Sequence, residues 1–144
     1  MINFDEYRDV FVVADTIDDV VHPVTYELIG QARRIAKELG QLVQVMLLGE
    51  NVQAEAEELV AHGADIVHVF ESPLLKYYTT DGYTKVLTDF FEDHKPNILL
   101  IGATNNGRDL APRMSGRMQN GVVADCTILT VDTEEGLVEW TRPA

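Results

Sequence analysis

The 144-residue sequence predicts an α/β fold. The expected architecture is a mostly parallel sheet flanked by helices, adenine-nucleotide-hydrolase-like (Rossmann-like), with a C-terminal β extension. Three observations lead there. Fully apolar runs such as VFVVA at 10–14 and ILLI at 98–101 are long enough for strands covered on both faces. Between such runs lie stretches whose apolar residues recur at helical spacing. Gly40, Gly49, Gly63 and Pro96 punctuate the alternation, as turns between strands and helices require.

Taken in order, the first strand is Val10 to Ala14. A helix from about Val24 to Leu39 follows, with Leu28, Ala32, Ile35 and Leu39 on one face, and Gly40 stops it. The second strand, Leu42 to Leu48, leads into a short helix from about Val52 to Ala61 that buries Val52, Ala56 and Leu59. Ile66 to Phe70 is the third strand, and Ser72 to Thr80 reads as loop. A third helix, Tyr83 to Asp93, carries the stripe Val86, Leu87, Phe90 and Phe91 before Pro96 blocks its continuation. Asn97 to Ile101 is the fourth strand and Arg108 to Gln119 the fourth helix. Asp125 to Val131 and Leu137 to Thr141, split by turn residues 133–136, read as a β-hairpin or sheet-edge extension. Residues 1–144 are expected to form a single domain.

Composition removes several function classes. A formal net charge of -13 disfavours nucleic acid, whose phosphates reward clustered Lys and Arg. The same charge suits a solvated surface and could steer a basic protein partner. No apolar run of about eighteen residues predicts a membrane span. The acidic N-terminus, MINFDEYRDV, lacks the apolar core of a secretory signal. The single cysteine, Cys126, excludes an internal disulfide and suits a reducing cytoplasm. His22, His62, His68 and His94 fall in separate elements without ligand spacing, so no metal site and no catalytic group is expected. His22 is placed to act near a helix cap, and His68 reads as a satisfied sheet residue.

One segment stands apart. GATNNGRDLAPRMSGRMQNGVVADC, from Gly102 to Cys126, begins at the end of the fourth strand and carries Arg108, Arg113 and Arg117. It is a basic island on an acidic body. A glycine-bearing turn there joins the carboxyl end of a strand to a helix N-terminus, the usual place for anions or partners in open α/β sheets. Gly102 and Gly107 are expected to shape this turn through backbone conformations that only glycine adopts freely. Gly102, Asn105, Asn106, Gly107, Arg108 and Arg113 are therefore the candidate partner or loop hotspot. The arginines also have a plainer role open to them, pairing with a carboxylate such as Asp109 or Asp125, and Arg117 fits that role best. A nucleotide site is not expected. The first loop, ADTIDD at 14–19, has three carboxylates and no glycine, and no P-loop or GxGxxG turn occurs.

The strings GATNNGRDLAPR and NGVVADCT closely resemble the N-terminal domain of electron transfer flavoprotein alpha subunits. VVAD at 12–15, HPVTYELIGQARRIAKELG at 22–40, VMLLGENV at 45–52 and HGADIVHVF at 62–70 match that family's preceding elements. TRPA at 141–144 resembles the start of the stretch leading into its flavin domain. The resemblance implies an electron carrier rather than an enzyme, working with a beta subunit and with acyl-CoA-type or other flavin dehydrogenases. It further implies that FAD belongs to a domain absent from this sequence, leaving these residues as scaffold for the beta subunit and the mobile FAD domain. A general carrier and a homologue dedicated to nitrogen fixation or carnitine metabolism both fit. The alternative is a stand-alone nucleotide-binding module of universal-stress type, which shares the alternation of strands and helices.

Overall fold

In the computed structural model, residues 8–118, 127–132 and 137–141 are described. The chain runs through β1 (Val10–Val13), the short strands β2 (Thr16–Ile17) and β3 (Val20–Val21), and α1 (Pro23–Leu39). It continues through β4 (Val43–Gly49), α2 (Gln53–Ala61), β5 (Ile66–Glu71) and α3 (Thr80–Asp93). β6 (Ile98–Gly102), α4 (Asn105–Arg117), β7 (Thr127–Asp132) and β8 (Leu137–Thr141) complete it. The main sheet has the order β5-β4-β1-β6-β7-β8. Its first five strands are parallel and β8 pairs antiparallel with β7. The final two strands are thus the hairpin and sheet-edge extension that their sequence suggests.

Two apolar layers sandwich the sheet. On one face Val24, Leu28, Ile29, Ala32 and Ala36 of α1 and Leu59 of α2 pack on Val12, Val45, Leu47 and Leu100. On the other, Leu87 and Phe91 of α3 and Leu110 and Met114 of α4 pack on Phe11, Met46, Leu99 and Ile101. Successive side chains of one strand point to opposite faces, so VFVV and ILLI must be apolar throughout to serve both layers. Each fully buried Leu or Phe contributes at most about 1.5–3 kcal/mol on burial.

Local chemistry sets the helix ends. His22 is the N-cap of α1, its Nδ1 accepting the Val24 N–H at 3.0 Å. Pro23 opens the helix where a missing N–H costs nothing. Gly40, at φ 66°, returns its N–H to the carbonyls of Ala36 and Lys37.

Several boundaries differ from those the sequence suggests. The buried stripe of α1 runs through Ile29 and Ala36, while Leu39, in the last turn, is 45% exposed. Within α2 only Leu59 is fully buried, and Ala56 is half-buried. The segment 72–80 holds a 3-10 turn, Pro73–Leu75, capped by the Ser72 hydroxyl, and α3 begins at Thr80. The loop ADTIDD is in part a tight hairpin, β2–β3, with Asp18 and Asp19 at φ 51° and 63°. Aspartate is among the few residues that accept this left-handed geometry, so a two-residue turn forms without glycine.

Candidate functional site

β1 and β6 are neighbours in the sheet, but the chain leaves them in opposite directions, toward β4 and toward β7. The crevice at their carboxyl ends is the switch point at which parallel sheets of this kind bind ligands. Its walls include Asp15, Thr16, Tyr83, Gly102, Asn106 and Gly107. The sequence hotspot is therefore in the topologically expected place.

What fills the crevice is the protein itself. Thr104 is the N-cap of α4: its hydroxyl accepts the Gly107 N–H at 3.1 Å and donates to the carboxylate of Asp15. Asp15 thus reaches the α4 N-terminus through Thr104, where a phosphate would meet the helix in a nucleotide-binding relative of this fold. Asp19 does the same next door, accepting the N–H groups of Glu50 and Asn51 at 2.8 and 3.1 Å. Glu71 accepts the Val52 N–H at the start of α2 at 3.1 Å. The free space left in the crevice, about 20 Å³, takes little more than a water molecule. Three of the chain's own carboxylates thus take up polar hydrogens at this end of the sheet, Asp15 at the crevice itself and Asp19 and Glu71 at the loop before α2.

Gly107 has a different role from the one its place in the sequence suggests. Neither Gly102 nor Gly107 adopts a positive φ. Gly107 is instead a close approach: a Cβ there would overlap the carbonyl oxygen of Gly102 and sit 3.2 Å from Ile101 Cγ2. At Gly102 a Cβ would lie 3.0 Å from Val24 Cγ1, so α1 also presses on the strand end. The two glycines let α4 start flush against β6. The helix consequently begins at Asn105, three residues earlier than Arg108.

The helix surface is tied to its neighbour α3. The hydroxyls of Tyr78, at 2.7 Å, and Thr80 both donate to Asp109. Arg113 Nη2 lies 2.6 Å from Asp81 in an exposed pair, so the carboxylate partner open to this arginine is Asp81. Asp125 and Cys126 lie outside the described residues. Arg108 donates from Nε to the Ala103 carbonyl at 3.3 Å, which folds it back on its own loop. Arg117 is exposed. The hydrogen bonds from Thr80 and then Tyr78 lower the pKa of Asp109. Burial and the bond to Asp109 push the Tyr78 phenol up to about 12. Asn105 is exposed and Asn106 half-buried beside the crevice, so the outward surface here comprises Asn105, Arg108, Asp109 and Arg113.

Asp15 and Asp19 are among the three carboxylates for which the loop at 14–19 is noted above, whereas Thr104, Asp81 and Tyr78 join this site without that notice. Thr104 has the signature of an N-cap, a hydroxyl residue before a helix, once α4 is seen to start at Asn105. Asp15 and Thr104 are separated by 89 residues, and only the adjacency of β1 and β6 joins them. Among the described residues no group of three His, Cys, Asp or Glu side chains could hold a metal ion. No helix among them is long and apolar enough to cross a membrane.

The fold is thus an α/β domain with Asp15 hydrogen-bonded to the α4 cap at its switch point and an exposed α4 surface beside it. The chain belongs to the electron transfer flavoprotein domain family, which it matches over residues 10–144. It is 45% identical over 139 residues to the electron transfer flavoprotein subunit alpha of Megasphaera elsdenii, covering 96% of this chain and 41% of that protein. It is 46% identical over 138 residues to the lactate dehydrogenase (NAD(+),ferredoxin) subunit LctC of Acetobacterium woodii, covering 96% of this chain and 33% of the relative. The chain thus spans roughly a third to two fifths of the length of these relatives. A universal stress protein from Archaeoglobus fulgidus, solved in complex with dAMP, aligns at a TM-score of 0.48 and 17% identity, covering 72% of this chain and 89% of that one. At that score the likeness says nothing about function.

Proposed function

We propose that residues 1–144 are the N-terminal α/β domain of an electron transfer flavoprotein alpha subunit, and that this domain is scaffold. In this reading the complete protein is a cytoplasmic electron carrier, not an enzyme in its own right. Its FAD is held by a separate domain, and a beta subunit docks on the hotspot, through the exposed Asn105, Arg108 and Arg113 and the half-buried Asn106, with the buried Gly102 and Gly107 setting the position of the helix beneath them. Dehydrogenases of acyl-CoA or other substrates, or a complex like that named for the LctC relative, would supply or receive the electrons through the assembled pair.

The observation that carries the scaffold reading is the closed crevice. Asp15 accepts the Thr104 hydroxyl at the α4 cap and Asp19 accepts the Glu50 and Asn51 N–H groups, and the charge of both opposes a phosphate at these loops. The same observation speaks against the universal-stress alternative, which requires an open phosphate site there.

A visible absorption spectrum of the purified chain tests this directly. The chain is expected to be colourless and to take up neither FAD nor AMP when either is added in excess. Stoichiometric flavin absorbance, or saturable AMP binding at the β1–β6 crevice, would overturn the assignment.

A further inference from the structure

The opposite end of the sheet carries a feature that subunit docking at α4 does not use. Arg33, Arg34 and Lys37 of α1 line a groove of about 350 Å³, with Gln41 and Asp65 among the other walls. Three cations in five residues are notable on a chain with 24 carboxylates. Lys76, Lys85 and Arg113 each find a carboxylate within 4.0 Å. Arg33, Arg34 and Lys37 have no ion-pair or hydrogen-bond partner among the described residues. Glu38 stands four residues beyond Arg34, at pairing distance along a helix, yet no pair forms.

Their spacing adds to the case. Arg33 and Lys37 are four apart and Arg34 and Lys37 three apart, so like charges adjoin on the helix, an arrangement mildly unfavourable in isolation. Balancing the helix dipole needs a cation only in the last turn, which Lys37 supplies. Arg33 is also held in place: it lies across Gly63, at φ 119°, where a Cβ would overlap its guanidinium. The only carboxylate in the lining, Asp65, is engaged by the Val43 N–H at 2.8 Å. The groove therefore presents three cations against one acid, at a size typical of small-molecule sites. None of its lining residues is aromatic, so it offers nothing on which a nucleobase could stack.

We propose that this groove binds a compact multivalent oxyanion, a phosphoryl or polycarboxylate group, held by the two guanidinium forks and the Lys37 ammonium. Guanidinium groups suit this task because their planar donors match the oxygens of phosphate and carboxylate two at a time. The site is independent of the α4 surface, and either can fail without the other.

The test is an NMR titration of the isotopically labelled chain with inorganic pyrophosphate and, separately, with citrate at low ionic strength. At least one anion should give saturable shifts confined to amides 33–43 and 62–65. Pyrophosphate alone would identify a phosphoryl site, citrate alone a polycarboxylate site, and both the shared chemistry. The variant Arg33→Gln, Arg34→Gln, Lys37→Gln should bind the same anion at least about tenfold more weakly. If that variant loses its fold, Arg34→Glu, a change at an exposed side chain, carries the same expectation. Saturable shifts from neither anion, or equal affinity in parent and variant, would overturn the proposal.

Discussion

Gly107 and His68 show how single positions carry this structure. Gly107 is fixed by a backbone carbonyl, which cannot move aside as a flexible side chain could. Gly107→Val should force α4 away from the end of β6 at a cost of about 1–3 kcal/mol, read as a lowered melting temperature with the sheet retained. His68 Nε2 lies 2.6 Å from Gln44 Oε1, and the Gln44 amide donates to Asp9 at 2.7 Å. Because a carboxylate can only accept, that chain fixes the Gln44 oxygen toward His68 and places a proton on Nε2. The ring sits against Phe90, with His94 at 5.9 Å from it. Burial first, and then the His94 charge, lower the His68 pKa from 6.5. A depressed histidine pKa means that the unfolded chain takes up its proton first. Stability should therefore be complete above pH about 6.5 and fall as pH drops from there toward the folded pKa. Chemical denaturation across that range checks it: His68→Phe should flatten the slope, and an unchanged slope would remove His68 as its source.

At the scale of elements, the order of strands and helices was readable because burial on both faces demands continuous apolar runs. The boundaries that depart from the local sequence pattern are set by long-range contacts. α4 starts three residues before Arg108 because Gly107, which looks like a turn residue, lies inside the helix. It is helical, since the requirement is clearance from Gly102 and the cap is Thr104. The β2–β3 hairpin was hidden because its turn uses two aspartates where glycine or asparagine would announce it. The α4 segment is tethered to Asp15, Tyr78, Thr80 and Asp81, which come from elements distant in sequence. These tethers also separate stability from recognition. The Arg113–Asp81 pair is exposed on both sides, and such pairs are worth about 0–1 kcal/mol. Arg113→Glu should accordingly shift the unfolding midpoint only slightly. A large loss of stability would assign Arg113 to the α3–α4 clamp instead of the outward surface.

For the whole molecule, the proposed function divides the labour between the sheet end and α4. At one end of the sheet Asp15, Asp19 and Glu71 take up polar hydrogens, and the adjoining exposed face of α4 is the proposed docking site for a subunit partner. Calorimetric titration of the chain with its beta subunit tests that claim most directly, using the parent, Gly107→Val and Arg113→Glu at a temperature where all three are folded. The parent should bind stoichiometrically, and each variant should bind at least about tenfold more weakly, the loss expected for a displaced or charge-reversed contact. Equal affinity in all three, or no binding by the parent, would contradict the α4 surface as the docking site.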